Sequence, residues 1–182
     1  YAGIEPDKQL LVASAVRAGR TQLAGQGRHW SGTASEAGVF DVKADVIAVL
    51  AALGLEASRM PITRDAPAWF HPGRSGTFRL GPKTVLGHFG ELHPDILAQL
   101  KVDAPAAAFE VFLPAIPSAK KKASKARPAM EVIELLPVRR DFAFVLDKGV
   151  AAADVVKAAE SVDKKLVVGV SVFDVFEGGK LA

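Results

Sequence analysis

Cysteine is absent from this chain of 182 residues, which excludes a disulfide scaffold and metal sites built from thiolates. The absence of cysteine also fits a reducing, cytoplasmic compartment. No apolar run approaches the roughly 20 residues of a membrane helix, and no cationic and then apolar leader opens the chain, so we expect no membrane partner. Charged residues make up 24% and the net charge is +3, values that argue against global disorder and are compatible with a nucleic-acid partner.

Motifs that carry catalysis or bind cofactors are also missing. The sequence has no P-loop, no GxGxxG, no GxSxG nucleophile elbow and no HExxH pair. Of the four histidines, His71 and His93 each precede a proline, and His88 lies in a predicted strand. We therefore predict no catalytic residue, no metal ligand and no cofactor bound by this chain.

The first hundred residues contain two helical patterns. The segment "PDKQLLVASAVRAGRTQLAG" predicts a short helix that ends near Gly19. In "DVKADVIAVLAALGL" the valines and leucines recur at helical spacing, with Asp41 as the predicted N-cap and Gly54 as the stop. Asp41 and Asp45 stand one turn apart, which suggests either a metal site or, more simply, acids that favour the positive end of the helix dipole.

Short strands follow. The alternation predicts strands at 77–80 and 84–89, separated by a hairpin turn at "GPK". A helix over Pro94–Leu100 precedes "AAAFEVFL", which is typical of a strand buried on both faces. This order predicts an α+β fold with an antiparallel sheet backed by helices.

The stretch "HPGRSG" lies within this region. Gly73 and Gly76 admit positive φ angles and display Arg74 between them. The segment could hold an anion or fix a subunit contact, or it could be a tight turn in which Arg74 pairs with an internal carboxylate. We take His71, Arg74 and His93 as a candidate structural or interface motif.

Residues 118–127, "SAKKKASKAR", combine five basic residues with small ones and contain no acid. Such a composition is typical of a linker. It is either a solvated hinge or a basic arm that contacts RNA phosphates, with Lys122 and Lys125 as candidate contacts.

Beyond Pro128 the pattern changes to a β-α-β unit that leads into a hairpin, the first half of a ferredoxin-like fold whose second half is missing. "RDFAFVLD" and "KLVVGVSVFDVF" are predicted strands, and "AAADVVKAAESV" is a predicted helix. Arg139 and Arg140 lie where the first strand begins, and there they could contact RNA phosphates or a neighbouring subunit, or pair with Asp141 or Glu134. The apolar face of that strand is either core or a platform for stacking bases; it consists of Phe142, Phe144 and Leu146.

An ordered set of these segments resembles the β subunits of bacterial phenylalanyl-tRNA synthetases, in their C-terminal portion. The set runs through "RHWSG", "FDVKADVIAVLAALG", "FHPGRSGTFRLG", "LGHFGELHPDIL", "FEVFL" and "PVRRDFAFVLD", and so covers essentially the whole chain.

The resemblance implies that residues 1–117 are the C-terminal half of a catalytic-like module, an inactive class II synthetase-type fold. Residues 118–127 would be the basic linker, and residues 128–182 a truncated ferredoxin-fold anticodon-binding domain. In this family the α subunit charges tRNA(Phe) with phenylalanine, using ATP and magnesium, within an (αβ)₂ heterotetramer. The alternative is a stand-alone RNA-binding or protein-interaction module without an enzymatic partner.

Overall fold

The computed structural model describes residues 9–19, 36–57, 60–118, 129, 135–176 and 178. The chain divides into two compact units between Lys125 and Ala126. In chain order the first unit contains β1 (Val12–Ala18), α1 (Val39–Ala52), β2 (Ile62–Thr63), β3 (Phe70–Arg79), β4 (Val85–Leu92), α2 (Pro94–Gln99), β5 (Ala106–Phe112) and a 3₁₀ turn (Leu113–Ala115). In the second unit, the helix of the described residues is α3 (Ala152–Ser161).

The strands of the first unit form one five-stranded antiparallel sheet in the order β1-β5-β4-β3-β2. The predicted α+β class is therefore confirmed. The hairpin turn at "GPK" is confirmed as well, since Leu80 donates its N–H to the carbonyl of Thr84 at 3.0 Å and Gly81 has a φ of +107°. Strand β5 is the predicted strand with little exposure on either face, and α2 is the predicted short helix.

Helix α1 covers one face of this sheet. Its buried stripe packs against large side chains of β3, β4 and β5, and this cluster includes Val42, Val46, Leu50, Phe78, Phe89, Phe109 and Val111. The stripe recurs every four residues, as expected for a helix with a single apolar face. The hydrophobic core of the first unit lies between α1 and the sheet.

The ends of α1 have clear local causes. The predicted N-cap was wrong: Gly38 occupies that position, and Asp41 lies three residues on, where its carboxylate accepts the Gly38 N–H at 2.9 Å. The predicted stop at Gly54 is confirmed by its φ of +87°. The N–H groups of Gly54 and Leu55 bond the carbonyls of Ala51 and Leu50, both at 2.9 Å, which is the Schellman pattern.

The predicted helix ending near Gly19 was also wrong. Residues Val12–Ala18 form β1, which pairs with β5 over its whole length. Strand β1 lies at the edge of the sheet and gains its hydrogen bonds from β5, about a hundred residues further along the chain. The local periodicity of a segment does not reveal such a distant partner.

Strands β3 and β4 extend beyond the predicted 77–80 and 84–89, and "HPGRSG" belongs to the irregular start of β3 rather than to a tight turn. Neither Gly73 nor Gly76 has a positive φ. Gly76 is needed for space instead, because a Cβ there would lie 2.8 Å from the Ile62 side chain and 2.9 Å from the Phe89 ring.

In the second unit, the predicted helix is confirmed by α3. The two predicted strands do not form ladders among the described residues. In a split β-α-β unit the two strands flank a third strand and do not bond to each other, so alternation alone does not make them a sheet. Their side chains are correspondingly exposed. Of the two alternatives for Phe142, Phe144 and Leu146, packing into a core was wrong, since they are 71%, 64% and 49% exposed.

Candidate nucleic-acid and subunit interface

The segment from His71 to Ser75 is held by contacts within the first unit. The Gly73 N–H donates to His71 Nδ1 at 3.1 Å, and the Ser75 hydroxyl donates to the His71 carbonyl at 2.7 Å. Arg74 donates through Nε to the Glu91 carboxylate on β4, so it pairs with an internal carboxylate, as one of the sequence alternatives proposed. The pairing of Phe70 with Leu92 and of Ser75 with Gly90 keeps this segment against the end of β4.

His93 lies at the same end of the β3–β4 hairpin and caps α2. Its N–H bonds the Trp69 carbonyl at 2.8 Å, and its Nδ1 accepts the Asp95 N–H at 3.3 Å. The structure therefore brings His71, Arg74 and His93 to one end of one hairpin. His71 and His93 bond nearby backbone groups, and Arg74 links β3 to β4 through Glu91.

A row of polar residues crosses the sheet on the face opposite α1, and reasoning from sequence missed it. One rung of the register joins Ser14, Glu110, His88, Thr77 and Thr63, one residue from each strand. Residues that are paired directly across neighbouring strands project from the same face of the sheet, so all five lie on one face. The alternation of side chains along each strand is visible in the sequence. Which residues pair across neighbouring strands is not, because that depends on the register of the sheet.

At the centre of this row, a buried threonine contacts a half-buried histidine. Thr77 Oγ1 lies 2.8 Å from His88 Nδ1, and the His88 ring meets the edge of Phe112 with centroids 5.4 Å apart. Burial lowers the pKa of His88, so the ring is neutral at pH 7. A hydroxyl beside an imidazole is the beginning of a nucleophilic pair, but Thr77 is 0% exposed, and no substrate can reach its oxygen.

At the β2 end of the row, Thr63 and Arg79 hold Asp65. The Thr63 hydroxyl donates to Asp65 and accepts from Arg79 Nε at 2.9 Å, and Arg79 also pairs with Asp65 directly. The hydroxyl of Thr63 and then the guanidinium of Arg79 lower the pKa of Asp65. No group of three or more histidines and acids suited to a metal ion occurs among the described residues.

In the second unit, Arg139 and Arg140 are exposed, and neither forms an ion pair with Asp141. Arg140 donates to the Arg139 carbonyl at 3.2 Å. Downstream, the rings of Phe142 and Phe144 lie nearly parallel, at 22°, with centroids 6.3 Å apart. Two cations and two accessible rings thus occupy one short segment. The other RNA candidates, Lys122 and Lys125, lie outside the described residues.

Within the described part of the chain, no helix combines the length and the apolar character needed to cross a bilayer.

Comparison with known proteins assigns both units. The family model "Phenylalanyl tRNA synthetase beta chain CLM domain" matches residues 14–113, and "Ferredoxin-fold anticodon binding domain" matches residues 136–182. Among similar proteins, the phenylalanine--tRNA ligase beta subunit of Mesorhizobium japonicum is 51% identical over 181 residues, 100% of this chain and 23% of that protein. The beta subunit of Rhodopseudomonas palustris is 53% identical over 179 residues, 98% of this chain and 22% of that protein.

The chain thus spans less than a quarter of the length of these relatives. The first match covers more than half of the chain, and the relatives align along nearly all of it. The chain belongs to the phenylalanyl-tRNA synthetase beta chain family.

Proposed function

We propose that this chain is a non-catalytic part of a phenylalanine--tRNA ligase beta subunit that supports subunit assembly and tRNA docking. The observation that carries the proposal is the ordered pair of domain matches, a beta-chain domain followed by an anticodon-binding domain. The exposed Arg139, Arg140, Phe142 and Phe144 suit RNA, because cations contact phosphates and accessible rings stack on unpaired bases.

The first unit serves assembly in this proposal. We infer that residues 1–117 are the C-terminal half of an inactive class II synthetase-type module and that residues 118–127 link it to the anticodon-binding domain. The proposed partners are the alpha subunit, in an (αβ)₂ heterotetramer in the cytoplasm, and tRNA(Phe). ATP and magnesium are used by the whole enzyme, whose charging reaction lies on the alpha subunit.

We infer that this chain does not itself catalyse the reaction, and two features of the first unit support this inference. Its hydroxyl–imidazole pair is closed to substrate at Thr77, and its arginines Arg74 and Arg79 are each held by a carboxylate of the same unit. Activation of an amino acid needs unengaged donors aimed at the triphosphate, and neither Arg74 nor Arg79 supplies one.

The test is phenylalanine-dependent exchange of pyrophosphate into ATP. We expect the purified chain to show no exchange and the complete synthetase to show it under the same conditions. Exchange by the chain alone, in a preparation free of other synthetases, would overturn the proposal.

A further inference from the structure

A cavity of about 270 Å³ lies in the first unit where β3 begins and β4 ends. Phe70, Pro67 and Pro72 provide apolar walls, and Arg64, Ser75 and His93 provide the polar groups. Phe70 is buried, at 2% exposure, and it pairs with Leu92 in the sheet, so this wall is fixed by the fold.

Two polar side chains of this cavity carry N–H groups that donate to no described residue. Arg64 makes no hydrogen bond or ion pair with any described residue. His93 accepts the Asp95 N–H on Nδ1, so the ring hydrogen is on Nε2, and no described residue accepts it. Ser75 already donates its hydroxyl hydrogen to the His71 carbonyl. Two donors, a guanidinium and an imidazole N–H, are therefore free to bind a ligand.

Among the described residues that line the cavity none is acidic, so no described acid competes for these donors inside it. The nearby Asp65 is engaged by Arg79 and Thr63. The Asp95 carboxylate lies 3.6 Å from His93 Nδ1, on the side of the ring away from Nε2, and its side chain is 82% exposed.

We propose that this cavity binds a small oxyanion through one phosphate or carboxylate group. A guanidinium presents its donors as a planar fork that matches two oxygens of either group, and the His93 N–H supplies a further donor. With about 30 Å³ for each water molecule in the liquid, the volume holds one such group with a few further atoms. The volume lies below the roughly 300–1,000 Å³ of pockets that enclose drug-sized ligands, so we expect it to enclose a small anion rather than a whole nucleotide.

The bound anion would link two segments that connect secondary-structure elements of the first unit. Arg64 follows β2, whereas His93 lies between β4 and α2. Neither the tRNA contacts nor the charging reaction proposed above requires this cavity, so its test is independent of both.

The test uses the 182-residue chain and NMR signals of the Arg64 Nε–H and the His93 ring. Inorganic phosphate and acetate are titrated separately, with chloride holding the ionic strength constant. We expect a saturable shift of both signals with at least one anion. Because hydrogen bonds to charged groups are strong, Arg64→Ala should weaken binding about tenfold or more.

Two further variants make the test specific. His93→Asn keeps an acceptor for the Asp95 N–H but removes Nε2, and it should weaken binding measured at Arg64. Lys83→Ala removes one exposed positive charge of the same unit outside the cavity and should leave binding unchanged.

Saturation by phosphate alone or by acetate alone supports the proposal and identifies the group. The absence of a saturable shift with either anion would overturn it. Equal weakening in Arg64→Ala and Lys83→Ala would overturn it too, since that result indicates general charge attraction.

Discussion

Two glycines of β4 illustrate how single residues set the spacing of the sheet. A Cβ at Gly87 would lie 2.3 Å from the backbone carbonyl oxygen of Glu110, and one at Gly90 would lie 2.4 Å from Ser75 Cβ. Both contacts are closer than real Cβ atoms approach, and at Gly87 the obstacle is backbone of β5, which cannot rotate away. Glycine is therefore required at these two positions because there is no room for a Cβ, and not because the backbone has a positive φ.

We predict that Gly87→Ala lowers the free energy of unfolding by about 1–3 kcal/mol, the usual cost of forcing extra atoms into a packed region. Gly73→Ala is the matched control, because its nearest neighbour would be His71 Cε1 at 3.6 Å, an ordinary contact. It should change stability by no more than about 0.5 kcal/mol. Urea unfolding of both variants measures the difference, and equal stabilities would contradict the close approach of β4 to β5.

At the scale of elements, helices and strands were predicted best where the features that define them lie within their own segment of the sequence. Helix α1 was recognisable because its buried stripe and its Gly54 stop are both local features. Strand β1 was missed because its hydrogen bonds come from β5, far along the chain. The strands predicted in the second unit alternate as strands do, but pairing also requires a neighbour, and none is present among the described residues.

The candidate functional residues also differ in whether the sequence alone reveals them. Arg139 and Arg140 stand out in the sequence as adjacent charges before an alternating segment. The polar row through His88 and the cavity beside Arg64 depend on the register of β2, β3 and β4, which no local window contains.

One ion pair joins β1 to α1 and gives the first unit a specific response to acid. Arg17 donates to both Asp45 oxygens, at 2.6 and 2.7 Å. Its hydrogen bonds hold the pKa of Asp45 below the ordinary 3.8. A depressed folded-state pKa means that the pair stabilises the fold above the unfolded pKa, and this contribution is lost as the pH falls through the folded pKa.

We predict that Asp45→Asn destabilises the fold at pH 7 by up to about 1 kcal/mol, since the two side chains are 40% and 27% exposed and solvent screens the pair. The difference between wild type and variant should shrink as the pH falls below 3.8, through the lowered folded-state pKa of Asp45. Asp103→Asn, which removes an exposed acid that pairs with no described residue, is the control for the loss of one negative charge. A difference between wild type and Asp45→Asn that stays constant with pH would contradict the account.

At the scale of the whole molecule, the two units differ in how far their side chains are buried. The first has a closed core between α1 and its sheet, whereas none of the described residues of the second is buried. Large apolar side chains of the second unit are exposed, among them Leu136, Val168 and Phe173 at 88%, 82% and 75%. We therefore expect this unit to provide contact surface for RNA, in line with its match to an anticodon-binding domain.

The central claim, docking of tRNA without catalysis, is tested most directly by the salt dependence of tRNA binding in the complete synthetase. Each phosphate contact contributes a slope of about 0.7–0.9 log units of affinity per log unit of salt. Replacing Arg139 and Arg140 with alanine should therefore flatten the slope by about 1.4–1.8 and leave phenylalanine activation nearly unchanged. Lys164→Ala with Lys165→Ala removes the same charge from the same unit and should keep the original slope. An unchanged slope in a well-folded Arg139→Ala/Arg140→Ala enzyme would contradict the account.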